Sequence, residues 1–156
     1  MELADKLYAA ETVLVHGDVS PKNILFRAGR PIVLDAECAT MGDASFDPAF
    51  CLNHLILKAL HLPRARPALL AAVSRFWQAY SAHVDWEDPA ALEERICRLI
   101  PALMLARVDG KSPVEYLDDA EKDMTRGLAT RLIRAPEQTI PALVGGIGQE
   151  LKELTR

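Results

Sequence analysis

A short span of polar residues carries the chemistry open to this chain. His16-Gly17-Asp18 and Asn23 stand just before an apolar run, Ile24-Leu25-Phe26, and Asp35 and Glu37 just after a second run, Pro31-Ile32-Val33-Leu34. Between the runs, Arg27-Ala28-Gly29-Arg30 is a polar connection with a glycine where a turn needs one, so the segment reads as a β-hairpin. Antiparallel pairing would bring the flanking polar groups to one end of that hairpin. Two acids and an amide meeting there make an oxygen site for a hard cation, because Mg²⁺ takes oxygen ligands and usually only one or two protein carboxylates. Asp18 is then left for a different role.

The run His16-Gly17-Asp18-Val19-Ser20-Pro21-Lys22-Asn23-Ile24-Leu25 resembles the catalytic loop of the aminoglycoside phosphotransferase and choline kinase family, small-molecule kinases with a protein-kinase-like fold. Leu34-Asp35-Ala36-Glu37, followed by Gly42-Asp43 and Asp47-Pro48-Ala49, is similar to that family's metal-binding segment. Order and roles match the kinase pattern H-R-D-L-x-x-x-N followed by D-F-G. Gly17 in place of arginine, and Ala36-Glu37 in place of Phe-Gly, point to the small-molecule branch.

The resemblance implies ATP as phosphate donor, Mg²⁺ as cofactor and a small-molecule hydroxyl as acceptor. It makes Asp18 the catalytic residue that orients the hydroxyl and takes its proton, and Asn23 and Asp35 the metal ligands. Leu25 and Leu34 match the apolar floor under the adenine, and Ser20 stands where a phosphate contact is expected. Lys22 is either a second phosphate contact or solvated. His16 is expected to pack beneath the metal-binding segment and hold its backbone. Glu37 would share a face with Asp35 if the segment is extended, where it binds a metal-bound water or substrate or orients backbone. Asp43 and Asp47 read as scaffold, Asp47 as a helix cap.

Composition narrows the field without choosing a reaction. Half of the residues are apolar and 26% charged, as in an ordinary globular chain, and a net charge of −4 with no basic stripe gives no reason to propose nucleic acid. That charge is mildly compatible with a cationic acceptor. Cys38, Cys51 and Cys97 are too scattered for a C-x-x-C clip and odd in number, which fits a reducing cytoplasm. Charged residues interrupt every run long enough to span a membrane.

The fold class expected is mostly α with a small β-hairpin, the C-terminal lobe of a protein-kinase-like enzyme without its N-terminal lobe. Residues 1–156 form one catalytic lobe in this reading, with the loop and metal-binding segment at 13–47 and a helical subdomain at 48–156. Only fifteen residues precede His16, so neither a Gly-rich phosphate loop nor a strand lysine stands before it. Gly145-Gly146-Ile147-Gly148 is not a substitute, since it lacks the G-x-G-x-x-G spacing. It is expected to loosen or interrupt a late helix.

Taken in order, 2–10 reads as a helix and 12–15 as a short buried extended segment, with 40–45 as a loop after the hairpin. Asp47-Pro48 signals a helix with aspartate as N-cap and proline first, apolar almost all round to Leu60. Pro67 and Asp88-Pro89 open two more helices, the latter with an expected kink or break at Pro101. Trp77 belongs to an apolar stripe. Ser112-Pro113-Val114-Glu115 reads as a capping box starting a helix or helix pair that runs to about Arg134. Pro136 separates a last amphipathic segment ending at Leu154.

A second constellation, Arg107 through Tyr116, joins two helices with charged and aromatic groups. Arg107, Asp109, Glu115 and Tyr116 are candidates to wall the acceptor site, or to make an ordinary helix connection. The acidic run at 118–121 would suit a polycation, or be a solvated helix start favoured by the dipole. Two hypotheses follow: a catalytic lobe, or a degenerate lobe that binds a ligand or partner and transfers nothing. An absent lobe would leave apolar surface around Leu25 and Leu34 and a tendency to self-association.

Overall fold

The computed structural model describes residues 2–153. Six α-helices and four short strands follow one another as α1 (Glu2–Ala9), β1 (Val13–Val15), β2 (Ile24–Arg27), β3 (Arg30–Val33), β4 (Thr40–Gly42), α2 (Phe46–His61), α3 (Arg66–Ser81), α4 (Pro89–Asp109), α5 (Asp119–Arg134) and α6 (Ile140–Glu153). Short 3-10 turns occupy Pro21–Asn23 and Ala36–Cys38.

The helices make the core. α2 packs against α3 and α4, α4 against α5, and α6 against α3. Leu52 and Ile56 of α2, Ile96, Ile100 and Met104 of α4, Leu128 and Leu132 of α5, and Leu143 and Ile147 of α6 are fully buried, at the helical spacing that puts each set on one face. Trp77 lies in this core, as its stripe suggested.

Several local expectations change. Thr40–Gly42 is a strand, β4, paired antiparallel to β1 with Val13 opposite Gly42. Its three residues and its partner far upstream give no local signal. β1 is buried only at Val15, since Leu14 points out. α4 runs unbroken through Pro101, held on both sides of the proline by buried Leu99, Ile100 and Met104. α6 continues through its glycines; Gly148 lies toward Leu70 of α3, where a side chain would reach ordinary contact. Residue 154, the expected end of this segment, is outside the described residues.

The capping box at Ser112 is not formed. Val114 N–H donates to the carbonyl of Arg107, and Val114 and Leu117 are buried, so the chain folds back as a loop. The box forms six residues later: Asp118 accepts from Glu121 N–H at 2.8 Å and Glu121 accepts from Asp118 N–H at 2.9 Å. The acidic run is thus spent on this helix start, with Glu121 also 3.1 Å from His61 and Asp119 at 3.3 Å from Lys122.

Candidate functional site

The chain leaves β1 at His16 and bends at Gly17, whose φ of +83° suits glycine. A Cβ there would stand 2.7 Å from the Cys38 carbonyl oxygen and 2.9 Å from the Cys38 Cβ. The loop and the segment after the hairpin therefore touch at Gly17, which is why no larger residue fits.

Asp47 fixes this bend. Its carboxylate accepts from His16 N–H at 2.6 Å and from Gly17 N–H at 3.0 Å. It is not the helix cap expected from the Asp-Pro pair, because α2 begins a residue earlier at Phe46 and its N-cap position is Ser45. It is scaffold, acting on the loop. Asp43 belongs to the same frame: it accepts from Ser45 N–H at 2.8 Å and pairs with Arg95 at 3.2 Å, while Arg95 also holds Glu87 at 2.7 Å. Burial alone would raise the Asp43 pKa, but the Ser45 hydrogen bonds and the Arg95 charge bring it below the usual value.

His16 does not hold the metal-binding segment through any hydrogen bond among the described residues. Its Nδ1 accepts from Asp18 N–H at 3.3 Å, so the ring shapes its own loop, and Nε2 is buried without a partner. Asn23 closes the loop from the other end. Its amide nitrogen donates to the Asp18 carboxylate at 2.8 Å and to the Asp18 carbonyl at 3.0 Å. Lys22 is exposed, with Nζ 3.7 Å from the same carboxylate.

The hairpin forms in the expected register, Ile24 opposite Val33 and Arg27 opposite Arg30. Its two turn residues, Ala28 and Gly29, both have positive φ, as a two-residue hairpin turn requires. Leu34 N–H donates to the Asn23 carbonyl at 2.8 Å, so Asp35 follows directly from the residue bonded to Asn23. Asp35 has φ +67° and leads into the 3-10 turn at 36–38. The segment is not extended, which removes the basis for Glu37 sharing a face with Asp35. Leu25 and Leu34 are 53% and 41% exposed.

No group of three His, Cys, Asp or Glu side chains gathers into a metal cluster among the described residues. The donors at this end of the hairpin are an amide oxygen, left over because the Asn23 nitrogen is committed to Asp18, and the exposed Asp35 carboxylate. Two hard oxygens suit Mg²⁺, which keeps waters and phosphate oxygens for the rest of its shell.

On the other side of the loop lies a cavity of about 520 Å³ that joins the two constellations: Ser20 and Lys22 on one wall, Arg107, Glu115 and Tyr116 on another. Asp109 stays outside it, exposed and paired with Arg126 at 2.8 Å. His54 and Lys58 of α2 complete the lining. They are one helical turn apart and so share a face, the one signal that could have marked them in a helix read as apolar all round. Lys58 Nζ sits 3.5 Å over the Tyr116 ring. Ser20 Oγ, His54 Nε2, Arg107 Nε and Tyr116 Oη are all buried without a hydrogen-bond partner among the described residues. A larger cleft, about 640 Å³ between α3 and α6, is lined by none of these groups.

The model of a phosphotransferase enzyme family matches residues 2–92, which take in the loop, both ladders, the bend at Asp35 and all of α2 and α3. That is more than half of the chain, and the chain belongs to this phosphotransferase family. Comparison with curated proteins gives no match.

Proposed function

We propose that this chain is the helical catalytic lobe of an ATP-dependent, cytoplasmic phosphotransferase that acts on a hydroxyl of a small molecule, working with a nucleotide-covering N-terminal lobe. The observation that carries the reading is the Asn23–Asp18 hydrogen bond, 2.8 Å, in a loop whose backbone is pinned by Asp47. Phosphoryl transfer needs positioning and charge stabilisation more than covalent help. Asp18, 3.7 Å from the cavity-lining Lys22, would orient an acceptor hydroxyl and take its proton. The Asn23 amide oxygen and Asp35 would hold Mg²⁺, which neutralises charge on the donor phosphates when bound. Ser20 or Lys22 would contact the transferred phosphate. Leu25 and Leu34, exposed on the hairpin, would form the floor beneath the adenine.

The test is ATP turnover with Mg²⁺ by the full-length gene product over a panel of alcohols, followed by ADP release. Asp18→Ala should lower kcat by about 10²–10⁴-fold, the usual contribution of a general base. Equal rates in the two proteins would eliminate the catalytic assignment of Asp18, and absence of turnover over the whole panel would leave the non-catalytic reading, a lobe that binds ligand or partner.

A further inference from the structure

The cavity beyond Ser20 carries a charge pattern that the chain as a whole does not. In a molecule of net charge −4, its lining brings together Lys22, Lys58 and Arg107 against a single acid, Glu115. Arg95, Arg126 and Arg131 each rest on a carboxylate. Arg107 forms no such pair among the described residues, and its Nε is buried without an acceptor. A buried guanidinium N–H left unbonded is costly. It becomes favourable when an anion enters, since charge-assisted hydrogen bonds to carboxylate or phosphate are the strong ones.

We infer that the acceptor carries an anionic group, a carboxylate or a phosphate ester, beside the hydroxyl that is phosphorylated, and that Arg107 holds this group. The inference rests on the phosphotransfer reading above and names its substrate class. The cavity supplies matching hydroxyl donors. Burial pushes the Tyr116 pKa up to about 12, so Tyr116 keeps its proton and can donate it. Ser20, 1% exposed, offers a second hydroxyl from the loop itself. The His54 ring registers the same field: burial, then the Arg107 charge, lower its pKa to about 4, with Lys22 and Lys58 adding to them and only Asp18 opposing.

The three cations divide by position. Lys22 lies 3.7 Å from Asp18, on the side of the cavity nearest the proposed catalytic carboxylate. Lys58 is stacked on Tyr116, and Arg107 stands on α4 across the cavity. The acids that would have favoured a polycation, Asp118, Asp119 and Glu121, are engaged in the α5 cap and with Lys122 and His61.

Calorimetric titration of the full-length protein with D-glycerate and with glycerol 3-phosphate, beside choline and glycerol, tests this. At least one anion should bind about tenfold or more tightly than choline and glycerol, and the stronger of the two identifies carboxylate or phosphate. Arg107→Gln should weaken that binding by about tenfold or more, as loss of a charged hydrogen bond does, with the wild-type melting temperature retained. Arg107→Lys, which keeps the charge without the planar fork, should fall between. Choline or glycerol binding as tightly as both anions, or anion binding unchanged in folded Arg107→Gln, overturns the inference; should that variant not fold, the ligand ranking and Arg107→Lys decide. The two readings separate in the turnover assay. Anion binding through Arg107 without ADP release leaves this site standing and removes phosphotransfer. ADP release with cationic alcohols alone does the reverse.

Discussion

The loop from His16 to Asn23 and the stretch from Leu25 to Met41 hold the two halves of one proposed site, yet the fold treats them differently. The loop is tied at both ends, by Asp47 to the backbone of His16 and Gly17 and by Asn23 to Asp18, and its Ser20 and Asn23 are buried. From Leu25 to Met41 every residue is exposed, with Phe26 at 74%. Only a two-stranded ladder orders the hairpin, and such a ladder is marginal alone. The loop that carries the group proposed to meet the acceptor is thus tied to α2. The carboxylate proposed to meet the metal rides on an element that gains rigidity from whatever covers it.

The largest effect should come from cutting the ties of the loop. Asp47→Ala leaves the His16 and Gly17 amides without their acceptor, and should cost about 2–4 kcal/mol in urea unfolding, since both lost bonds are to a charged group. Turnover should fall with it, although Asp47 touches no reacting atom. Next comes the contact between the two regions. Gly17→Ala combines a positive φ with a Cβ 2.7 Å from the Cys38 carbonyl oxygen, so about 1–3 kcal/mol is expected. Amide exchange in 36–41 should rise more than in α2, because the bend at Cys38 must move away.

This contrast also separates what was legible from what was not. The chemistry-bearing loop, the hairpin register and most helices are encoded locally, by turn residues, apolar spacing and Asp-Pro or Pro starts. Asp88 does cap α4, accepting from Ala90 N–H at 3.1 Å. The identical Asp-Pro signal at Asp47 misleads, because a carboxylate that could cap a helix is equally able to bind amides brought to it from thirty residues away. The two candidate capping boxes show the same limit. Ser112 and Asp118 both have glutamate three residues on, and burial of Val114 and Leu117 decides between them. The cavity was half visible: Arg107, Glu115 and Tyr116 stood out as charged and aromatic loop residues, whereas His54 and Lys58 were hidden in an apolar helix.

A pH effect of intermediate size should arise on the buried side alone. His54 titrates near 4 in the folded protein, against 6.5 for an ordinary histidine, through burial and the Arg107 charge, with Asp18 opposing. The unfolded chain therefore binds this proton first as pH falls. Stability from this group is complete above pH 6.5, declines between 6.5 and 4, and stops declining below 4. Thermal melts across that window should show a shallower decline in His54→Gln than in the wild type. An identical slope would mean that the ring is solvated and that the field in the cavity is weak.

The smallest effect belongs to the exposed hairpin, and it sharpens the comparison most. Phe26→Ser removes an aromatic ring that is mostly in water already, so unfolding free energy should change by no more than about 0.5 kcal/mol. Val33 is exposed on the same face of the hairpin and Leu25 and Ile32 on the opposite one, and apolar faces left open in this way are the kind that proteins cover. The 156-residue chain should accordingly self-associate with rising concentration in light scattering, and Phe26→Ser should do so less. A loss of stability comparable to that of Asp47→Ala would mean that the hairpin is packed as firmly as the loop. Unchanged stability with reduced association would show that this face depends on contact from outside the helical core, which is the condition under which Asp35 would become as well placed as Asp18.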